Sequence, residues 1–479
     1  MKKRLLAGLL SLCLMLSMVP ATALALDDGT ETEPVATDTT SNSATSQDDT
    51  QDSSMENDST ETGTGDENTE ETETTTGDEN TAETETTTDS ENTAEAETTT
   101  DSETAAEETM VAEVGDAQYA TLEKAIAAAQ DGDTVTLLED VSLTPTDLDT
   151  EDLNPLIRIG SNITLDLNKK TIKWDESIYK TSFKCTPVFF SIENAEVTIT
   201  GDGTIDSELG YNNSYGIDII KNGTLVIEDG TFTGATTAVQ VTNGELTILD
   251  GTFKQAKTIE SVAPEYAKYV VNAIDSSWKT GTARIYIKGG QFCFDPANKP
   301  ENTEPTYVAE GYVSTSEVKD GITFYTVEAA TAEANGKYYA TLAEAVQAVV
   351  SSESKTGTVT LLKDAAGGGI GLFNDNDKDA VNVNLTIDFG GFTYTCDDPA
   401  VGSVGTESQG FHLEKGNTVT LKNGTIKVSP DSQNTSMLIQ NYCDLTLENL
   451  DLYGSNITKY IISSNYGDTV LKNVNIDGT

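Results

Sequence analysis

Leu225-Val226-Ile227-Glu228-Asp229-Gly230-Thr231-Phe232 is followed 21 residues later by Leu246-Thr247-Ile248-Leu249-Asp250-Gly251-Thr252-Phe253, and a third copy, Ile285-Tyr286-Ile287-Lys288-Gly289-Gly290-Gln291-Phe292, begins 39 residues after that. Apolar residues alternate before a fixed fifth position, so one face of each strand looks inward and the other meets solvent. The pattern returns in Val419-Thr420-Leu421-Lys422-Asn423-Gly424-Thr425-Ile426, in Leu445-Thr446-Leu447-Glu448-Asn449-Leu450-Asp451-Leu452, and in Leu471-Lys472-Asn473-Val474-Asn475-Ile476. The fifth position is then Asp229, Asp250, Gly289, Asn423, Asn449 or Asn473. All six are residues that tolerate the left-handed backbone region. A strand that turns sharply at the same place in every repeat needs that tolerance, so a left-handed corner is predicted at each.

Upstream of each corner, Ile217, Ile219, Val239, Val241, Phe411, Leu413, Leu438 and Ile439 supply a second short strand, ended by glycine-containing turns such as Asn222-Gly223 and Asn243-Gly244. Repeats of 21 to 26 residues, each with two or three strands and no hairpin signature, stack as coils of a parallel β-solenoid. A sandwich would instead place antiparallel hairpins about every 8–12 residues. The 39-residue gap predicts one coil plus a loop around Trp278.

A longer repeat encloses the short one. Tyr119-Ala120-Thr121-Leu122-Glu123-Lys124-Ala125-Ile126 is echoed by Tyr339-Ala340-Thr341-Leu342-Ala343-Glu344-Ala345-Val346, at an offset of 220. Thr134-Val135-Thr136-Leu137-Leu138 likewise returns as Thr358-Val359-Thr360-Leu361-Leu362, and Asn162-Ile163-Thr164-Leu165-Asp166-Leu167 as Asn384-Leu385-Thr386-Ile387-Asp388-Phe389. Two tandem modules are expected, residues 111–328 and 329–479. Each opens with apolar residues at helical spacing (Leu122, Ile126, Ala129; Leu342, Val346, Val349) behind a threonine N-cap, Thr121 or Thr341. One short amphipathic helix per module follows, broken in the first by Gly132-Asp133.

The Tyr-Ala-Thr-Leu opening, the Thr-Val-Thr-Leu-Leu strand, Leu165 to Ile172 and the Gly-Thr-Phe rungs are similar to right-handed parallel β-helices of the pectin-lyase-like superfamily. More narrowly, they resemble repeat-bearing surface proteins of Gram-positive bacteria. The resemblance spans residues 111–479 and implies an all-β fold whose opening helix caps the solenoid. It implies no activity, because that fold hosts lyases, hydrolases, epimerases and non-catalytic adhesins.

The remainder of the chain gives an address. Lys2, Lys3 and Arg4 precede a 15-residue apolar run, Leu5 to Val19, then Pro20 and the small-residue site Ala23-Leu24-Ala25. This is the pattern of a secretory signal peptide over residues 1–25, and the run falls short of the roughly 20 residues that span a bilayer. Residues 26–110 carry 28 acids, no base and no aromatic, and are expected to be a disordered, extended acidic linker. The whole chain of 479 residues has formal charge −52, which excludes gripping nucleic acid.

No residue is assigned a catalytic, cofactor or metal role on sequence grounds. A lyase of this fold would need an arginine or lysine base beside cation-binding carboxylates. Beyond the signal peptide only Arg158 and Arg284 are arginines, and they read as exposed or ladder-edge cations. The single histidine, His412, lies between inward Phe411 and Leu413 and reads as a solvated surface residue whose counterpart in the first module is Phe190. Asp397-Asp398, before Pro399, reads as a turn. Acidic loops at 147–152 and 375–379 are candidates for weak Ca²⁺ binding, although Ala380 and Thr386 break the EF-hand pattern. Cys185, Cys293, Cys396 and Cys443 would pair within modules, 185 to 293 and 396 to 443, or remain buried thiols. Tyr442, Tyr453, Tyr460 and Tyr466 could stack on sugars or fill turns and core.

The expectation is a secreted or cell-surface, non-catalytic β-helix protein, adhesin-like or glycan-binding, that takes no cofactor and faces an extracellular glycan or a host or neighbour-cell surface. The alternatives are a polysaccharide lyase or glycoside hydrolase of the same fold and a purely structural spacer. The second module halts after the rung ending at Ile476, so the sequence is expected to be a fragment lacking further coils and a C-terminal wall anchor.

Overall fold

The computed structural model describes residues 109–144, 153–178, 186–208, 215–234, 237–255, 269–298, 306–319, 321–373 and 381–478. The expected signal peptide, nearly all of the expected acidic linker, the acidic loops 147–152 and 375–379, and Cys185 lie outside the described residues.

The described chain is all-β and rich in parallel strands in stacked sheets, an architecture compatible with a β-helix. In the first sheet six strands, from Thr134–Leu137 to Ala283–Ile287, lie side by side in chain order. Their inward residues stack in register as Val135, Leu165, Ile199, Ile227, Ile248 and Ile287, all buried. The second sheet stacks Ile172, Ile205, Phe232, Phe253 and Phe292. The three phenylalanine rings are 5.0 Å apart and parallel to within 7°. Each such ring contributes about 1.5–3 kcal/mol by burial, and ring pairing adds roughly 0.5–1.5 kcal/mol. The third sheet, from Leu153–Ile159 to Val271–Ala273, stacks Ile157, Phe190, Ile217, Val239 and Val271.

Residues 332–477 repeat this plan with a fourth and a fifth sheet. Val359, Ile387, Leu421, Leu447 and Leu471 form the inward row of the fourth. Buried apolar side chains fall into two clusters, one from Ala112 to Val327 and the other from Ala332 to Leu452.

Helix α1 (Leu122–Ala128) buries Leu122, Ala125 and Ile126, and Thr121 Oγ1 caps it by accepting the Lys124 N–H. In its echo, a full capping box joins Thr341 and Glu344. A further α-helix, Asp275–Thr280, was not anticipated. Gly244–Ile248 pairs directly with Ala283–Ile287, so the 39-residue gap lengthens one repeat, and a helix stands around Trp278 where a loop was expected. Helix α2 (Asp275–Thr280) sits in that lengthening and buries Trp278 edge-on against Tyr307.

The chain also departs from parallel pairing. Short antiparallel pairs precede each opening helix, at Ala112–Val114 with Ala117–Tyr119 and at Ala332–Ala334 with Lys337–Tyr339. An eight-residue hairpin, Tyr312–Lys319 with Ile322–Ala329, closes at the register Lys319 to Ile322. Its signal was the Asp320-Gly321 dipeptide, a strong hairpin marker.

The left-handed corners are real in the second half and displaced in the first. Asn423, Asn449 and Asn473 have φ of +61°, +54° and +53°. Their side chains form a ladder: Asn473 Nδ2 donates to Asn449 Oδ1 at 3.0 Å, Asn449 Nδ2 to Asn423 Oδ1 at 3.2 Å, and Asn423 Nδ2 to the Asp388 carboxylate at 3.1 Å. At Asp229, Asp250 and Gly289 the positive φ falls instead one residue later, on Gly230, Gly251 and Gly290. The reason is local: Asp229 and Asp250 each accept the N–H of the following glycine, at 2.6 and 2.7 Å.

Replacing Asn449 therefore tests the corner. Asn449→Ala loses both the ladder bonds and the tolerance of positive φ, for an expected cost of about 2–3 kcal/mol, whereas Asn449→Gly loses the bonds alone, about 1 kcal/mol. Urea unfolding of both variants measures the difference, and an equal cost would refute the strain account.

Candidate functional site

Alternation on the third sheet turns a row of polar side chains outward: Arg158, Ser191, Asp218, Gln240 and Asn272, one per strand and in register. Outward rows ordinarily meet water, and the outward side chains of the first sheet are half-buried, as at Thr198 and Thr247, or exposed, as at Glu245 and Tyr286. Here Ser191 and Asp218 are 2% exposed and Gln240 3%. Buried polar groups must be hydrogen-bonded or they cost roughly 1–3 kcal/mol each, and this row is bonded sideways. Asn272 Nδ2 donates to Gln240 Oε1 at 3.3 Å, and the Thr242 hydroxyl donates to Asp218 Oδ1 at 2.7 Å.

A slip in alternation widens this face. Phe189 and Phe190 are both buried, the first against Trp174 with ring centroids 4.2 Å apart and the second level with Ile157 and Ile217. Two successive inward residues leave Val188 on the outer side, where it helps line a pocket of about 130 Å³. Asp218 and Ser191 lie in this pocket with Pro155, Ile220 and Thr242, and Arg158 stands at its mouth with its side chain 60% exposed.

Electrostatics differ sharply between the two carboxylates of this face. Burial pushes the Asp218 carboxyl up to about 6, against the two hydrogen bonds from Thr242 that favour its charge. Glu193 is held below the usual range by the hydrogen bond from Lys221, which with Arg158 and Ser191 outweighs its burial. Arg158 and Lys221 both pair with Glu193, Lys221 at 2.6 Å. The face thus presents an ionised, doubly paired carboxylate beside one that gains a proton in mildly acidic solution.

The fifth sheet bears the corresponding outward row, Gly371, His412, Gln440 and Ser463. This corrects the reading of His412 as a solvated residue: it points outward but is 5% exposed. Phe373 lies edge-on to its ring at 4.9 Å and Tyr442 covers it from 5.8 Å, while Nδ1 faces Gln409 Oε1 at 3.2 Å and Nε2 faces Glu414 at 3.4 Å. Nor is Phe190 its counterpart. Phe190 matches inward Phe411, each level with the apolar residues of its neighbouring strands, and the position equivalent to His412 is Ser191. The following corner holds one more residue in the second half, which shifts the offset.

Of the other sequence candidates among the described residues, Tyr442 reaches this face, over His412, and those that follow lie elsewhere or meet solvent. Arg284 lies 5.9 Å over the Trp278 ring and donates to Ala283 O at 3.0 Å. Asp398 is raised by its burial but held below the ordinary range by bonds from Gln433 N–H, Ser432 and Asn434, which makes it a loop clamp. Cys396 and Cys443 are buried thiols, not a disulfide; Cys443 donates to Asn441 Oδ1 at 3.2 Å, and burial pushes its thiol up to about 12. Tyr460 and Tyr466 are exposed, Tyr466 under Lys415 at 4.6 Å, whereas Tyr442 and Tyr453 are half-buried. Among the described residues no group of three or more His, Cys, Asp or Glu side chains could hold a metal ion.

Asp218 and Gln240 were the residues the sequence reading passed over. Their signal was a single polar residue inside an apolar strand, Ile217-Asp218-Ile219 and Val239-Gln240-Val241. No family model matches the chain, and neither a curated protein nor a solved structure matches it.

Asp218 yields a pH-dependent stability. Its folded carboxyl titrates near 6 against an ordinary value of 3.8, so the folded state binds the proton more tightly and stability falls as pH rises through that window. Above pH 6 the buried charge costs up to about 3 kcal/mol. Asp218→Asn should raise the Tm at pH 8 by several degrees and give no gain at pH 3.5. Thermal unfolding of the two proteins at both pH values checks this, and a pH-independent difference would refute it.

Proposed function

We propose that this chain is a secreted, cell-surface, non-catalytic protein that binds extracellular glycans. Its two tandem right-handed parallel β-helix modules, residues 111–328 and 329–479, would follow a signal peptide and a disordered acidic linker. It would then resemble adhesin-like surface proteins of Gram-positive bacteria with the pectin-lyase-like fold.

One observation carries the binding reading: the hydrogen-bonded outward row on the third sheet, Arg158 to Asn272. Amide, hydroxyl and carboxyl groups held in register at the strand spacing of about 4.8 Å form an array of donors and acceptors. Polyhydroxylated chains are the ligands that such arrays match. The apolar patches beside it, Val188 and Ile220, suit the C–H faces of sugar rings. The signal pattern at Lys2 to Ala25 supports export.

A second reading, a polysaccharide-active enzyme, is favoured by the Asp218 carboxyl alone, since a group titrating near 6 can serve as a proton donor.

The full chain is expected to bind oligosaccharides on a glycan array and to release neither reducing nor unsaturated sugars from them. The double variant Gln240→Ala, Asn272→Ala should weaken binding about tenfold or more, through loss of two ordered amides, at a temperature where circular dichroism shows it still folded. Unchanged binding would remove this face from the function, and sugar release would establish the enzyme.

A further inference from the structure

We propose that the pocket over Asp218 receives the acetamido group of an N-acetylated amino sugar. The inference rests on the reading of this face as glycan-binding and narrows its ligand class.

Size comes first. The pocket measures about 130 Å³, close to the ~150 Å³ of a cavity that holds benzene. The four non-hydrogen atoms of an acetamido group fit that space, and a whole hexose, with its ring and all its hydroxyls, does not. Its ring must therefore lie outside, along the polar row, with one substituent inserted.

The lining then selects the substituent. Pro155, Val188 and Ile220 offer an apolar wall, which favours a methyl group. Asp218, 2% exposed, brings a carboxylate that accepts one side-chain bond, from Thr242. A carboxylate has about four acceptor sites, so it can also take an N–H. Arg158 at the mouth supplies a donor for a carbonyl oxygen. Methyl, N–H and carbonyl are the three parts of an acetamido group. A hydroxymethyl group would face apolar walls with a hydroxyl, a 6-deoxy methyl would give Asp218 no donor, and a sugar carboxylate would set like charge against it.

Calorimetric titration of the full chain tests the assignment. The probes are chito-oligosaccharides, their de-N-acetylated forms, neutral gluco-oligosaccharides, and fucose- or rhamnose-containing oligosaccharides. The acetylated ligand should bind roughly tenfold or more tightly than each of the others. Asp218→Leu, close in shape, should abolish that preference. Because this variant alters a buried site, saturation-transfer NMR on the unaltered protein gives a second readout, in which the acetyl methyl should be the most strongly saturated ligand proton. Equal affinity for de-N-acetylated, neutral or 6-deoxy ligands, or saturation centred on ring protons, would overturn the acetamido assignment while leaving glycan binding in place. Binding of no oligosaccharide on the array or in the calorimeter would overturn both.

Discussion

In a stack of parallel strands each inward side chain rests on the side chain at the same position one coil away. Everything else in this protein follows from that register. A one-residue slip anywhere would turn an apolar row outward, so every coil must reach its corner at the same count. The phenylalanine row shows what the constraint permits: the rings of Phe232, Phe253 and Phe292 stack nearly parallel, because the backbone beneath them repeats. Where one repeat lengthens, between Ile248 and Ala283, the added residues include helix α2, and the register of the neighbouring strands is untouched.

The corner itself has two chemical solutions. In the second half an asparagine adopts the left-handed region and its amide bonds to the asparagine of the next coil, so the corner residue also ties the coils together. In the first half an aspartate turns back to hold the next glycine N–H, and that glycine carries the positive φ. An aspartate could not replace the asparagine ladder, because stacked carboxylates would repel one another and have no N–H to offer. The difference shows in the strands: Thr418–Val428 and Asp444–Tyr453 run unbroken through their corners, whereas Gly223–Ile227 and Thr231–Gly234 are separate.

Inward positions were legible in the sequence because burial leaves little choice of residue there: Leu225, Ile227, Ile217 and Ile219 are where alternation put them, and Thr121 and Thr341 cap their helices. The outward positions were not. Alternation says only that a residue points away from the core, and it equates that with solvent. On the third and fifth sheets the equation fails, and Asp218 and His412 are both outward and buried. His412 is covered by Phe373 and Tyr442, which directly follow the two neighbouring strands, so their places could be known only once the register of those strands was known. The shift of the corners in the first half was hidden for a related reason, since Asp and Gly both tolerate turns and only the geometry decides which of them takes the strain.

The two halves share this face in plan and differ in its chemistry. Glu193 and Glu414 occupy equivalent places, but the first is neutralised by Arg158 and Lys221 and the second faces His412. Gly371 stands where Arg158 does, and Phe373 lies so close above it that a Cβ would meet the ring at 2.5 Å. Gln440 takes the place of Asp218 and donates to the Tyr442 hydroxyl at 2.6 Å. Aromatic rings therefore close over the row in the second half, whereas the first keeps a pocket with a carboxylate inside it. Strands stacked in this way keep what register demands, the inward rows, and leave the outward rows free to differ. Recognition chemistry can accumulate on that face without disturbing the stack that holds it in place.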